Sequence, residues 1–281
     1  MEYEHIHMLG VDPQNDFCDI PESELPPGRR SALPVPGSDG DMKRAETLVN
    51  RISRRVERFH ISRDRHSLMH IRHPIWWKNR RGDFPAPGTV IPLNDIRSGE
   101  WTTCDPKQLA RSIAYVEGLG KCGRVLRLWP PHCLKGTWGE EIHPALKAAL
   151  ERWTKETGTL VDYIFKGRNP WTDSPGALIA EVPDPKDPST ELNVRLLDEL
   201  RGADIVGAFG EAGSHCFMDT LDQIADNIGE EHIKKFHIIT DCISPLGAVP
   251  DGPDFPAIYR EWLLKMEKRG MTLTTSTEFL K

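Results

Sequence analysis

The chain has 281 residues, 38% of them hydrophobic and 28% charged, enough to bury one sizeable core. Its net charge of −6 is spread without a basic run, which excludes the footprint of a nucleic-acid or anionic-membrane binder and leaves small molecules as the expected partners. No stretch approaches the roughly eighteen consecutive apolar residues of a membrane span. Six scattered cysteines without a Cys-x-x-Cys pair read as reduced thiols, and a strand-like run at the very start leaves no room for a leader, so a cytoplasmic protein is expected.

In chain order, His5–Val11 predicts a buried strand that runs into Asp12-Pro13. Pro13 keeps Asp12 out of the helical region, so its carboxylate is presented at the strand end, where a general base could sit; an isolated Asp-Pro is more often an Asx turn. After a Pro/Gly-rich loop, Pro21–Gly40, the residues Met42, Ala45, Leu48, Val49, Ile52 and Val56 fall on one helical face. Arg58–Arg63 predicts the second strand and leads into Asp64-Arg-His66, with His70 four residues on. An Asp and an imidazole two apart can share one divalent ion, and an Asp with two or three His suits zinc, iron or manganese. His73, just before Pro74, reads as a loop residue. Pro74–Pro106, rich in Trp and Pro, reads as an insertion covering one sheet edge.

Trp129-Pro-Pro-His-Cys-Leu-Lys-Gly-Thr-Trp-Gly-Glu-Glu-Ile-His-Pro144 follows. Its two prolines hold His132 on an extended backbone, as suits a ligand that arrives preformed, and the Trp129 indole can stack on a flat ring. Cys133 reads as a small hydrophobe and His143 as a cap of the next helix. Leu160–Phe165 predicts a strand ending at Lys166, Glu181–Thr190 a surface loop, and Asp204–Phe209 a strand entering Gly207-Ala-Phe-Gly-Glu-Ala-Gly-Ser-His-Cys216. The helix that begins there carries Phe217, Leu221, Ile224, Ala225 and Ile228 on one face, so its N-terminal N–H groups favour a Cys216 thiolate. Phe236–Thr240 and Met271–Thr277 add two more strands. This β-α-β-α rhythm predicts a three-layer αβα fold with a doubly wound, mainly parallel sheet, as a single domain over 1–281 with the insertion at about 74–106.

The strings from Val11 to Phe17, Ser62 to His70, Trp129 to Leu146 and Gly207 to Cys216 resemble the signatures of nicotinamidases within the isochorismatase-like cysteine hydrolases. The likeness runs in order from Gly10 to Asp226. It implies metal-assisted hydrolysis of a small carboxamide, nicotinamide to nicotinic acid and ammonia through a thioester, with a place in NAD salvage. Asp12, Lys166 and Cys216 would be catalytic, with the lysine between carboxylate and thiol lowering the thiol pKa. Asp64, His66 and His132, with His70 as a further candidate, would hold a divalent metal, most simply zinc, on which the substrate's ring nitrogen sits. Phe17 and Trp129 would sandwich the ring. A cis peptide between Glu211 and Ala212 and an oxyanion hole from the Ala212 and Cys216 N–H groups are also implied.

The chain departs from the family pattern at Arg65, where Trp is usual, and at Ser214, where Asp is common. It also has Asn169-Pro-Trp-Thr-Asp-Ser-Pro-Gly-Ala177 in place of an aromatic-Ser-x-Phe pattern, leaving Trp171 as a candidate substitute. The insertion is longer than in compact nicotinamidases and suits a lid or a subunit contact, with homo-oligomer formation open. Two other readings stay open: a related cysteine hydrolase that uses the same triad on a ureido or maleamate-like amide without metal, and a non-catalytic metal-containing α/β protein.

Overall fold

The computed structural model describes residues 4–248 and 252–281. In chain order its elements are β1 (Ile6–Val11), α1 (Ser38–Ile52), β2 (Val56–Asp64), β3 (Trp77–Asn79), β4 (Val90–Ile91), α2 (Leu93–Arg97), β5 (Trp101–Thr103), α3 (Leu109–Lys121), β6 (Leu126–Arg127), α4 (Pro144–Thr157), β7 (Asp162–Lys166), α5 (Val194–Gly202), β8 (Ile205–Gly210), α6 (Cys216–Asn227), α7 (Glu230–Ile233), β9 (Phe236–Ile239), α8 (Phe255–Lys268) and β10 (Thr272–Thr274). The expected strands are present with ends moved by a few residues. Val56 is a correction: it opens β2, because α1 stops at Ile52 and a 3-10 turn over Ser53–Arg55 intervenes.

Six parallel strands form the central sheet in the order β10-β9-β8-β1-β2-β7. Alternation along each strand sends side chains to opposite faces. Leu9, Val11, Val206 and Ala208 pack under α5, α6 and α8, while Ile6, Met8, Ile205 and Phe209 pack under α1 and α4. On the second face Phe59 meets Trp153 edge-on at 4.8 Å, an aromatic pair worth about 1 kcal/mol beyond its buried area. The chain leaves β1 toward β2 and β7, then returns to the other side of β1 for β8, β9 and β10. The strand order therefore reverses between β1 and β8, and ligands of open α/β sheets bind outside the carboxyl ends of strands at such a reversal.

The Trp-rich segment builds its own apolar cluster. Ile71, Trp76, Trp77, Ile91 and Ile96 pack with Tyr115, Val116 and Leu119 of α3 and with Leu126 and Leu128. Two small antiparallel pairs, β3 with β5 and β4 with β6, close it. The packing unit thus extends past Pro106 to Leu128, and its last strand leads directly into Trp129. Among the described residues no helix is long and apolar enough to cross a membrane.

Candidate active site

Three strand ends meet at the reversal. Asp12 follows β1, Lys166 ends β7, and Cys216 opens α6 after β8. Asp12 is fully buried and adopts φ +44°, a region that costs a non-glycine residue about 1–3 kcal/mol unless its surroundings dictate it. They do: its N–H donates to the Ser62 carbonyl (3.2 Å) and to Ser62 Oγ (3.1 Å), and Ser62 Oγ donates to Asp12 Oδ1 (2.6 Å). Lys166 Nζ lies 2.7 Å from Asp12 Oδ2, 3.0 Å from Asp64 Oδ1 and 3.7 Å from Cys216 Sγ. An acid, an ammonium and a thiol, all expected from sequence, are thus brought together beside Asp64.

Burial dominates their electrostatics. It raises the Asp12 carboxyl against the pull of Lys166, and it pushes the Cys216 thiol well above the usual range. Lys166 draws the thiol down, but Asp12 and Asp64 push the other way. Burial and the two carboxylates thus outweigh Lys166, so the thiol lies above its usual range instead of below it as expected, and the neighbouring carboxylate is the group placed to take its proton. For Asp64 and Lys166 burial works against the charged form and is overcome. His66 and Lys166 hold Asp64 well below the carboxylate range, and Asp12, Asp64 and Cys216 keep Lys166 well above its usual value.

Beside this triad, Asp64 Oδ2 lies 3.3 Å from His66 Nε2 and 3.8 Å from His132 Nε2. His66 Nδ1 is bonded to the Gly167 carbonyl (3.0 Å) and His132 Nδ1 to the Pro130 carbonyl (2.8 Å), so each Nδ1 carries a hydrogen and, when the rings are neutral, the Nε2 lone pairs are the atoms that face Asp64. Two donors about 2.0–2.2 Å from one ion stand about 3–3.6 Å apart, and the three ligand atoms here lie within 4.8 Å of one another, so a small inward shift lets the trio hold a single divalent metal. Gly167 is required by this crowding. Its φ is +66°, and a Cβ would lie 2.5 Å from His66 Cε1 and 2.7 Å from Asp64 Oδ1.

His70 is also buried, but it is oriented differently: its Nδ1 accepts the Arg72 N–H (3.3 Å) and its Nε2 faces Asp173 Oδ1 at 3.9 Å. His73, read from sequence as a loop residue, is buried in the same cluster, 5.4 Å from the His66 ring and 5.7 Å from the His132 ring. Its Nδ1 bonds the Leu68 carbonyl (3.0 Å), which leaves Nε2 as the lone-pair atom, as in His66 and His132.

Asp64, His66 and His132 floor a cavity of about 460 Å³ whose walls include Phe17, Trp129, Ala212, His215, Cys216 and Phe255. Phe17 stacks obliquely on His132 at 5.4 Å, and Trp129 meets His215 edge-on at 5.5 Å. The Glu211–Ala212 peptide is cis. Among the described residues the N–H groups of Ala212 and Cys216 donate no hydrogen bond, while the Ala212 carbonyl accepts from His215 (2.9 Å) and Phe217 (3.2 Å). Arg65, one of the departures from the resembled pattern, pairs with Glu140 (2.9 Å) and lies over Phe165.

Two minor expectations are corrected. Trp171 bonds Gln108 and packs on the Trp-rich cluster, so it does not line this cavity. His143 occupies the N-cap position of α4, but its ring bonds Asp39 (3.0 Å) and caps nothing. Sequence reasoning also passed over Ser62, Asp173 and His215. Ser62 alone carried a signal, because two residues before Asp64 on one strand it shares that side chain's face.

No family model matches the chain, and no curated protein does. Solved structures do. A nicotinamidase/pyrazinamidase of Acinetobacter baumannii matches at 20% identity over 100% of both chains with a TM-score of 0.58. The yeast nicotinamidase matches at 19% identity over 96% of this chain and 99% of its own, with a TM-score of 0.62. A Pyrococcus horikoshii pyrazinamidase, solved in complex with zinc, matches at 16% identity over 96% and 99%, with a TM-score of 0.52. The chain has the α/β fold that these proteins share.

Proposed function

We propose that the protein is a metal-assisted cysteine amidohydrolase acting on nicotinamide or a closely similar ring carboxamide. One observation carries this reading: the Asp12 carboxylate and the Cys216 sulfur, distant in sequence, lie 2.7 and 3.7 Å from the Lys166 ammonium, beside three residues placed to share one ion. The solved structures of like fold support it, being nicotinamidases and pyrazinamidases, one with zinc and one with nicotinate.

Asp64, His66 and His132 would hold the ion, zinc by preference, which when bound supplies a Lewis-acidic position for a ring nitrogen and so orients the ring. Phe17 and Trp129 hold the ring from the cavity walls. Asp12 accepts the Cys216 proton as Sγ attacks the amide carbon, and Lys166 keeps the resulting charges balanced. The Ala212 and Cys216 N–H groups are the donors for the carbonyl oxygen as it becomes anionic, each worth on the order of a hundredfold in rate. Asp12 returns the proton to the departing amine, ammonia leaves, and a water deprotonated by Asp12 cleaves the thioester to the free acid. Incubation with nicotinamide, pyrazinamide and aliphatic amides, with metal analysis of the same sample, tests the reading. Ammonia release confined to the ring carboxamides is expected, and release from none of them refutes it.

A further inference from the structure

The cavity is larger than one pyridine ring requires, since about 460 Å³ lies in the range that holds drug-sized ligands. Its wall also carries three guanidiniums, those of Arg72, Arg124 and Arg127. Two are neutralised in place. Arg72 pairs with Glu181 and with Asp173 (3.3 Å), and Arg124 pairs with Asp219 and with Glu181 (3.0 Å). Arg127 differs: it is half-buried, and among the described residues its side chain makes one bond, from Nη1 to the Gly88 carbonyl (3.0 Å), and meets no carboxylate. With one of its five N–H donors engaged by that carbonyl, the guanidinium keeps a fork shaped for a carboxylate or a similar oxyanion.

His215, the residue before the nucleophile, adds a second donor. Ser214 Oγ accepts the Leu246 N–H (3.1 Å) and lies 2.9 Å from His215 Nδ1; in the tautomer where the hydroxyl donates to Nδ1, the imidazole hydrogen is on Nε2. Trp129 and Phe255 meet that ring edge-on at 5.5 and 4.7 Å and fix its plane. Burial, then the charges of Arg72, Arg127 and Arg124, lower its pKa to about 4, so it stays a neutral donor at neutral pH.

We propose that the preferred substrate, of which nicotinamide is an analogue lacking this group, carries an anionic oxygen group besides its amide, bound by Arg127 with His215 on the same cavity wall. This rests on the reading of the cavity as an amidohydrolase site. Arg127 is here a specificity residue and takes no part in bond breaking.

Binding of product-like acids tests this without turnover. Calorimetry on the metal-loaded protein compares nicotinate with pyridine-3,5-dicarboxylate and with 5-sulfonicotinate, and butyrate with succinate. In at least one matched pair the second anion should tighten binding about tenfold or more, with the gain lost in Arg127→Gln and largely kept in Arg127→Lys. Whether carboxylate or sulfonate gains more names the preferred anion. No gain in any pair, or a gain that survives Arg127→Gln, overturns the proposal. Ammonia release assayed on the same preparations reports separately on the hydrolase reading, which can fail while the anion-binding result stands.

Discussion

Gln14 holds the Asp64 peptide at both ends: the Asp64 N–H donates to Gln14 Oε1 (2.6 Å), and Gln14 Nε2 donates to the Asp64 carbonyl (2.8 Å) and to that of Glu140 (2.9 Å). A side chain from the loop after β1 therefore sets where the end of β2 aims its carboxylate. Gln14→Ala should weaken metal binding about 10–100-fold with little change in far-UV circular dichroism, as loss of a ligand's support does elsewhere. Competition against a chromophoric chelator measures it, and wild-type affinity in the variant would contradict the assignment.

Asp12 has two effects on Cys216 that a single substitution separates. Its charge raises the thiol pKa, yet it is the group proposed to take the thiol proton. In Asp12→Asn, alkylation of Cys216 by iodoacetamide at pH 7 should speed up severalfold, while ammonia release falls by a hundredfold or more. Parallel loss of both would show that Asp12 only supports the fold.

How far the site was legible from sequence depended on how local each cause was. Asp12, Asp64 and Lys166 each sit where an apolar run stops and Cys216 where a helix opens, which places them toward one margin of a parallel sheet, while their meeting was expected from the family resemblance. The thiol's raised pKa was not legible, because it arises from burial and from two carboxylates brought from other strands. Trp171 was misplaced for a related reason: its partner Gln108 lies on the Trp-rich unit, whose packing no periodicity announces. His73 looked like a loop residue because Pro74 follows it, and only the fold shows it buried among three other imidazoles.

Acid sensitivity has an identifiable source away from the site. His7 is buried on β1, with Nδ1 3.1 Å from His60 Nε2; burial first, and then His60, lower its pKa to about 4. An unfolded histidine titrates near 6.5, so below that pH the unfolded chain binds a proton that the folded one refuses. The contribution is whole above pH 6.5 and is lost as pH falls toward 4, amounting to at most about 3 kcal/mol. Urea unfolding at pH 7 and pH 4.5 should show a shallower loss in His7→Gln than in wild type. Equal losses would contradict it.

Chelation separates the metal-assisted reading from a metal-free one. Dialysis against a strong chelator should reduce hydrolysis of ring carboxamides by a hundredfold or more, with recovery on addition of zinc, and His132→Ala should resist that recovery. An unchanged rate in the metal-free protein would favour hydrolysis by the triad alone.

The most direct test is ammonia release from nicotinamide by Cys216→Ala, with the metal content of variant and wild type measured side by side. Full metal occupancy with release at the uncatalysed rate is the predicted result. Release comparable to wild type would contradict the assignment of Cys216 as nucleophile, and with it the proposed chemistry.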